Sequence, residues 1–272
     1  MMWGYMEDVQ NYFQSYIYEK YGRVFGKIWI ATAYKGASGE LATLTSIQHH
    51  YLNHLSWIDV MKDKISRNVL SFTGVAFTGW SRYDHFLALC DLLPEAIPSL
   101  VFNLHTFQYG KLSEDQKSEI TRKLGCAGQI PWFGQYHSYQ SVKCTFPGHE
   151  VYEAILPLND LIKNMQPNLE FASKYMTPLN LDYKYIHKQR ALEVTEKLRY
   201  SYHSLINFKD QFIKACDTMY YPDTALEWLY VYLVPDLDKV YNILARIKEL
   251  DSQNDWNPRP LPVTLKQYPQ NF

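Results

Sequence analysis

Thr73–Leu93 reads TGVAFTGWSRYDHFLALCDLL, a strand, a sharp turn and a helix in immediate succession. Gly74 to Thr78 is a continuous apolar run without alternation, the pattern of a short parallel strand covered on both faces. Gly79 lets the backbone turn, and an amphipathic helix carrying Phe86, Leu87, Cys90 and Leu93 follows. Trp80, Arg82, Tyr83 and Asp84 then gather at the strand's carboxyl end, where α/β folds bind their ligands. Two readings fit these residues. In one, the indole of Trp80 covers the C–H face of a pyranose while Arg82 and Asp84 fork onto its hydroxyls. In the other, Trp80 is core, and Arg82 with Asp84 is a local ion pair capping the next helix.

Upstream, Lys27 to Ala33 is β-branched and aromatic and reads as a strand emptying into the glycine-containing loop Tyr34 to Gly39. Between the two strands Ile47, Tyr51, Leu55, Ile58, Met61 and Ile65 recur every three or four residues, a helix with one apolar face. Trp29 to Thr78 is therefore a βαβ unit, with the right-handed crossover such units take. Ahead of it, Glu7 to Tyr21 reads as one helix, with Val9, Tyr12, Phe13, Tyr16 and Ile17 on one side, and Gly22 and Gly26 bracket a break. Downstream, Pro94 and Pro98 punctuate two short helices. Gly110 to Gly148 reads as irregular chain with turn signals at PWFG (131–134) and TFPG (145–148).

The remainder is helical. One helix is expected over Glu150 to Asn164. Val194, Leu198, Tyr202, Leu205, Phe208, Phe212 and Cys216 mark a second, and Leu226, Leu229, Leu233, Leu237, Val240, Leu244 and Ile247 a third. The turn at Tyr220 to Asp223 makes these last two an antiparallel hairpin, and Pro235 kinks or divides the final helix. Such a hairpin suits a homodimer as well as packing within one chain. From Asp251 onward four prolines and few apolar anchors predict a disordered tail.

Composition narrows the function. With 47% hydrophobic residues among 272, the chain can bury a sizeable core, and its 16% aromatic content suits carbohydrate contact and plain aromatic packing alike. A net charge of -1, with no basic cluster, argues against a nucleic-acid or anionic-membrane binder. No apolar run reaches the ~18 residues of a membrane span. Cys90, Cys126, Cys144 and Cys216 show no zinc spacing and read as reduced thiols of an intracellular protein. The opening MMWGYMEDVQ lacks a signal-peptide core, so cytoplasm and/or nucleus is the expected location. His50 and His54 have the i, i+4 spacing of a metal pair. Neither a carboxylate nor a third ligand is placed to complete a site, and no metal is expected.

Four stretches carry a family resemblance: TGWSRYDHF with LCDLLPEAIPSL at 78–100, WIATAYKGASG at 29–39, HHYLNHLSW at 49–57 and YPDTALEWLYVYLVPDL at 221–237. Together they resemble the hexosaminidase D-like branch of glycoside hydrolase family 20 over most of the chain. The resemblance implies that residues 1–108 are the last two or three strands and helices of a (β/α)₈ TIM barrel. An irregular connection (109–148), an all-α domain (149–250) and the tail (251–272) would follow. It also implies removal of terminal β-linked N-acetylglucosamine or N-acetylgalactosamine from glycoconjugates, without metal or organic cofactor. In that family the substrate's own acetamido oxygen attacks the anomeric carbon, an Asp orients it and an adjacent Glu protonates the leaving oxygen, with their pKa values pushed apart.

Residue by residue, the resemblance places Trp80 under the terminal sugar, Arg82 and Asp84 at its hydroxyls and Tyr34 in the pocket wall. Trp3 and Tyr5 stand where the family has a Trp-Asp-Tyr-like motif, with Gly4 in the place of the Asp. No Asp-Glu dipeptide occurs in the chain. Glu40 and Asp84, near two strand ends, read as solvated carboxylates that do not replace it. Little or no hydrolysis is expected of the chain alone. The alternative is a non-catalytic isoform or binding module that recognises a sugar or a protein partner.

Overall fold

A computed structural model describes residues 1–39, 42–80, 92–128, 130–132, 142–251 and 258. The chain divides into two units, one of Met1–Asp160 with Asn207–Val234, the other of Leu161–Ile206 with Pro235–Phe272. The first is α/β. Its three strands, β1 (Met2–Trp3), β2 (Lys27–Lys35) and β3 (Ser71–Gly79), lie parallel in the order β1-β2-β3. Met2 pairs with Ile30 and Ile30 with Val75, so all three strands run to a common carboxyl edge.

β2 and β3 are the two strands the apolar runs predict, each a few residues longer, but β3 is not covered on both faces as expected, since none of its residues is fully buried, and β1 adds a third from the short apolar start. Between them α3 (Ile47–Ser66) is the crossover helix expected from the periodicity, and Ser46 caps it by accepting the His49 N–H. Trp57 and Val60 of α3 bury against Met2, Ile28 and Ile30 of the sheet, and Val9, Tyr18 and Leu70 close the cluster. Trp57 is 0% exposed. A fully buried side chain of this kind contributes roughly 1.5–3 kcal/mol.

Three expectations are corrected. The single helix over Glu7 to Tyr21 is two, α1 (Val9–Tyr12) and α2 (Ser15–Phe25). Phe13 leaves the helix in an extended conformation, and its ring lies against Tyr18 and Trp57. Gly110 to Gly148 is not wholly irregular, because α4 (Ile97–Tyr109) is followed by α5 (Glu114–Lys123). Ser113 and Gln116 close α5 with reciprocal capping bonds. The helix expected over Glu150 to Asn164 is also two, α6 (His149–Ile155) and α7 (Leu158–Tyr175). Pro157 lies between them; Leu156 before it keeps helical dihedrals, but a proline has no N–H to bond the carbonyl four residues back, so the hydrogen-bond ladder breaks there.

The cysteine reading changes too. Cys126 and Cys144 form a disulfide. They flank an antiparallel bridge in which Ala127 and Lys143 exchange backbone hydrogen bonds, and that pairing brings the sulfurs together. With it goes the cysteine argument for a reducing compartment. Cys216 is a free, buried thiol, its pKa pushed up to about 12 by burial and by Asp217. Cys90 lies outside the described residues.

After the short helix α8 (Pro178–Asp182), the long α9 (Lys188–Cys216) precedes α10 (Pro222–Tyr232) and α11 (Val234–Asp251). Pro235 does divide the last segment, with Leu233 capping α10. In the first unit Phe212 stacks on Trp228 with centroids 4.5 Å apart. In the second, Met165, Ala172, Val194, Leu198 and Val240 are fully buried. No helix among the described residues is long and apolar enough to cross a membrane. The expected tail falls almost wholly outside the described residues.

Candidate functional site

The carboxyl edge of the sheet carries an aromatic wall. Trp80 follows β3, and its indole lies against Gly36 at the end of β2. A Cβ on Gly36, whose φ is +88°, would stand 2.6 Å from Trp80 Cδ2 and 2.7 Å from its carbonyl oxygen. Only a glycine serves at a position so close and so left-handed. Tyr5, just beyond β1, meets the same indole edge to face, with centroids 5.6 Å apart. Tyr34 packs its phenol over Gly79, where an added Cβ would be 2.5 Å from the hydroxyl oxygen. Tyr5 and Trp80 are thus brought into contact, with Tyr34 on the adjoining strand end. Trp3 sits further back, opposite Ala31, and is 65% exposed. Arg82, Tyr83, Asp84 and Glu40 lie outside the described residues.

Helix α3 holds the Tyr5 segment through three side chains on one stripe, at i, i+4 and i+8. The His49 Nε2 donates to the Tyr5 carbonyl at 2.8 Å. Asn53 Nδ2 donates to the carbonyls of Gly4 (2.9 Å) and Met6 (2.6 Å), and Trp57 Nε1 donates to Gly4 at 2.8 Å. Each satisfies a carbonyl with few strand partners, since β1 has two residues. At Gly4 itself there is no room for a side chain. A Cβ would stand 2.7 Å from the Trp57 ring and 2.9 Å from Phe13.

Beneath the wall lies a polar layer that the sequence reading missed. Lys35 donates to Glu95, and both are buried. The Glu95 carboxylate also accepts the Thr45 N–H at 2.9 Å and the Thr45 hydroxyl at 2.8 Å. Tyr232 shares this environment: burial raises its pKa, Glu95 adds to the rise and Lys35 opposes it. The available signal was a lone charge in each of two apolar stretches, IWIATAYK and LLPEAIPSL. With its oxygens engaged by Lys35 and Thr45, Glu95 is a strut that ties the loop before α3 to the end of β2.

The histidine pair has a structural use. His54 donates from Nδ1 to the His50 carbonyl (2.6 Å), so its Nε2 accepts the Thr32 hydroxyl (2.9 Å), and its ring stacks on Phe77. Burial lowers its pKa to about 4. His50 is held still more firmly neutral, by burial first and then by His49, His54 and Lys35, against an opposing influence of the Gly36 backbone. Among the described residues no group of three His, Cys, Asp or Glu side chains gathers as a metal site would require.

This arrangement can present an aromatic face to the C–H face of a sugar ring. Among the described residues of the wall there is no carboxyl group to protonate a leaving oxygen. No protein-family model matches the chain. The chain is similar to a protein named Hexosaminidase D from Homo sapiens, 27% identical over 272 residues, which is 97% of this chain and 53% of that protein. It is also similar to Hexosaminidase D from Bos taurus, 39% identical over 126 residues, 46% of this chain and 36% of that protein. The chain spans about half the length of the human relative. The hexosaminidase D-like resemblance read from the four sequence stretches is borne out by both relatives.

Proposed function

We infer, from this likeness to hexosaminidase D, that the chain carries the sugar-binding floor of a β-N-acetylhexosaminidase of glycoside hydrolase family 20. Its sheet then represents the closing strands of a (β/α)₈ barrel, and its substrate is a glycoconjugate ending in β-linked N-acetylglucosamine or N-acetylgalactosamine. The observation that carries this reading is the Tyr5–Trp80 ring pair seated on Gly36 at the common carboxyl edge of three parallel strands. The terminal sugar lies with its apolar face on Trp80, and Tyr34 lines the same pocket.

Hydrolysis of this class uses the acetamido oxygen of the substrate as nucleophile, an Asp to orient it and a Glu to protonate the leaving oxygen. The chain has no Asp-Glu dipeptide, and Glu95 is tied to Lys35. We therefore propose that the 272 residues bind the sugar without turning it over. The test is hydrolysis of chromogenic β-N-acetylgalactosaminide and β-N-acetylglucosaminide by this chain beside a form extended upstream to a full barrel. Turnover by the extended form alone is expected. Turnover by the short chain would place the acid among its own carboxylates.

A non-catalytic role has its own support, because the described residues hold an aromatic wall while the sequence holds no Asp-Glu pair. It predicts saturable binding of N-acetylglucosamine or N-acetylgalactosamine that Trp80→Ala abolishes, and no activity in the extended form.

A further inference from the structure

The second unit holds a hollow of about 370 Å³ that the sugar reading leaves unused. One wall is the first half of α9 and the other the last turns of α11. Its volume is within the range of small-molecule sites, about 300–1,000 Å³. Leu192, Leu244 and Ile247 make much of the lining. Leu192 is 60% exposed, a large apolar side chain left facing solvent on the wall of a concave surface.

The charged side chains among its described lining residues share one sign. Lys188, Arg199 and Lys248 line the hollow, and among the described residues no Asp or Glu does. Lys188 and Arg199 are about three turns apart on one stripe of α9, and Lys248 comes from the facing helix. Arg199 also reaches Glu196 on its own helix at 3.3 Å, and Lys188, Arg199 and Lys248 all stand at exposed positions. A polyhydroxylated ligand would lose water to an apolar lining without replacing its hydrogen bonds. A cationic amphiphile would meet like charge at the rim.

We propose that this hollow binds an amphipathic organic anion. The apolar body lies on Leu192, Leu244 and Ile247, and a carboxylate, sulfonate or phosphate head takes charge-assisted hydrogen bonds from Lys188, Arg199 and Lys248. Tyr202, also in the lining, adds a hydroxyl donor. The site is separate in sequence and chemistry from the aromatic wall and does not depend on the hexosaminidase reading.

The experiment is a fluorescence titration of the full 272-residue chain with 8-anilinonaphthalene-1-sulfonate, followed by displacement with dodecanoate or with dodecan-1-ol. Saturation at one probe per chain is expected, with dodecanoate displacing it at about tenfold lower concentration than the alcohol, the scale of a charge-assisted contact. Lys188→Glu with Lys248→Glu, both at exposed positions, should weaken the probe by about tenfold or more while the far-ultraviolet circular dichroism stays unchanged. Sodium chloride at about 1 M, where the Debye length is ~3 Å, should weaken it in the unaltered chain as well. Displacement as good by the alcohol, or binding indifferent to both salt and charge reversal, overturns the proposal.

Discussion

At the level of single residues, Gly4 and His54 show how closely the sheet and α3 are matched. Gly4 is flush with the Trp57 and Phe13 rings. Gly4→Ala is expected to force one of these buried rings aside at a cost of about 1–3 kcal/mol, read as a lower urea midpoint with an unchanged m value. Restoring an aspartate at this position would cost more, so the departure from the family motif is built into the packing around it. His54 brings a pH dependence. Its pKa is about 4 when folded, against 6.5 for the free side chain, so between these values the unfolded chain binds a proton that the folded chain does not. Its contribution is full above about pH 6.5 and falls away as the pH is lowered toward 4, by up to ~3 kcal/mol. His50, shifted in the same direction, adds to that loss. Urea midpoints measured from pH 7.5 down to 4.5 should fall, and less steeply in His54→Gln.

Among the elements, the Cys126–Cys144 bond fastens the segment after α5 to the segment before α6 across 18 positions. Closing a loop of that size stabilises a fold by about 3 kcal/mol in the chain-entropy view. Cys126→Ser with Cys144→Ser should lower the thermal midpoint accordingly, and an unchanged midpoint would show that the bond adds nothing to the fold. The elements differ in how plainly the sequence announces them. The β2-α3-β3 unit was legible because an unbroken apolar run and a three-and-four periodicity each admit one reading. β1 was not, since two residues have no period. The breaks at Phe13 and Pro157 escaped because apolar spacing continues across them. Of the wall, Trp80 was legible as an aromatic residue at a strand end, and Tyr34 only through the family resemblance. The strut beneath was not: the Lys35–Glu95 contact joins positions whose sequence order does not reveal that they meet.

Taken whole, the molecule has a sheet with work left for its edges. Within the described residues β1 and β3 each pair on one side only. Val24, Phe25, Trp3 and Trp29 are exposed, and Met1, Tyr21, Phe25, Ile28 and Trp29 line a shallow hollow. Unpaired strands beside apolar surface invite association. Sedimentation velocity should show concentration-dependent self-association that Val24→Lys with Phe25→Lys suppresses. A single monomer peak at every concentration would count against it.

The stripe of His49, Asn53 and Trp57 has one more use. Written as H-x-x-x-N-x-x-x-W, it describes a helix by the backbone it grips rather than by the core it covers. Sequence searches guided by apolar periodicity pass over such a pattern, because two of its three positions are polar. A scan for it, a few tens of residues after a short apolar start, would find other chains in which a strand too brief to detect is held in place by the helix that follows.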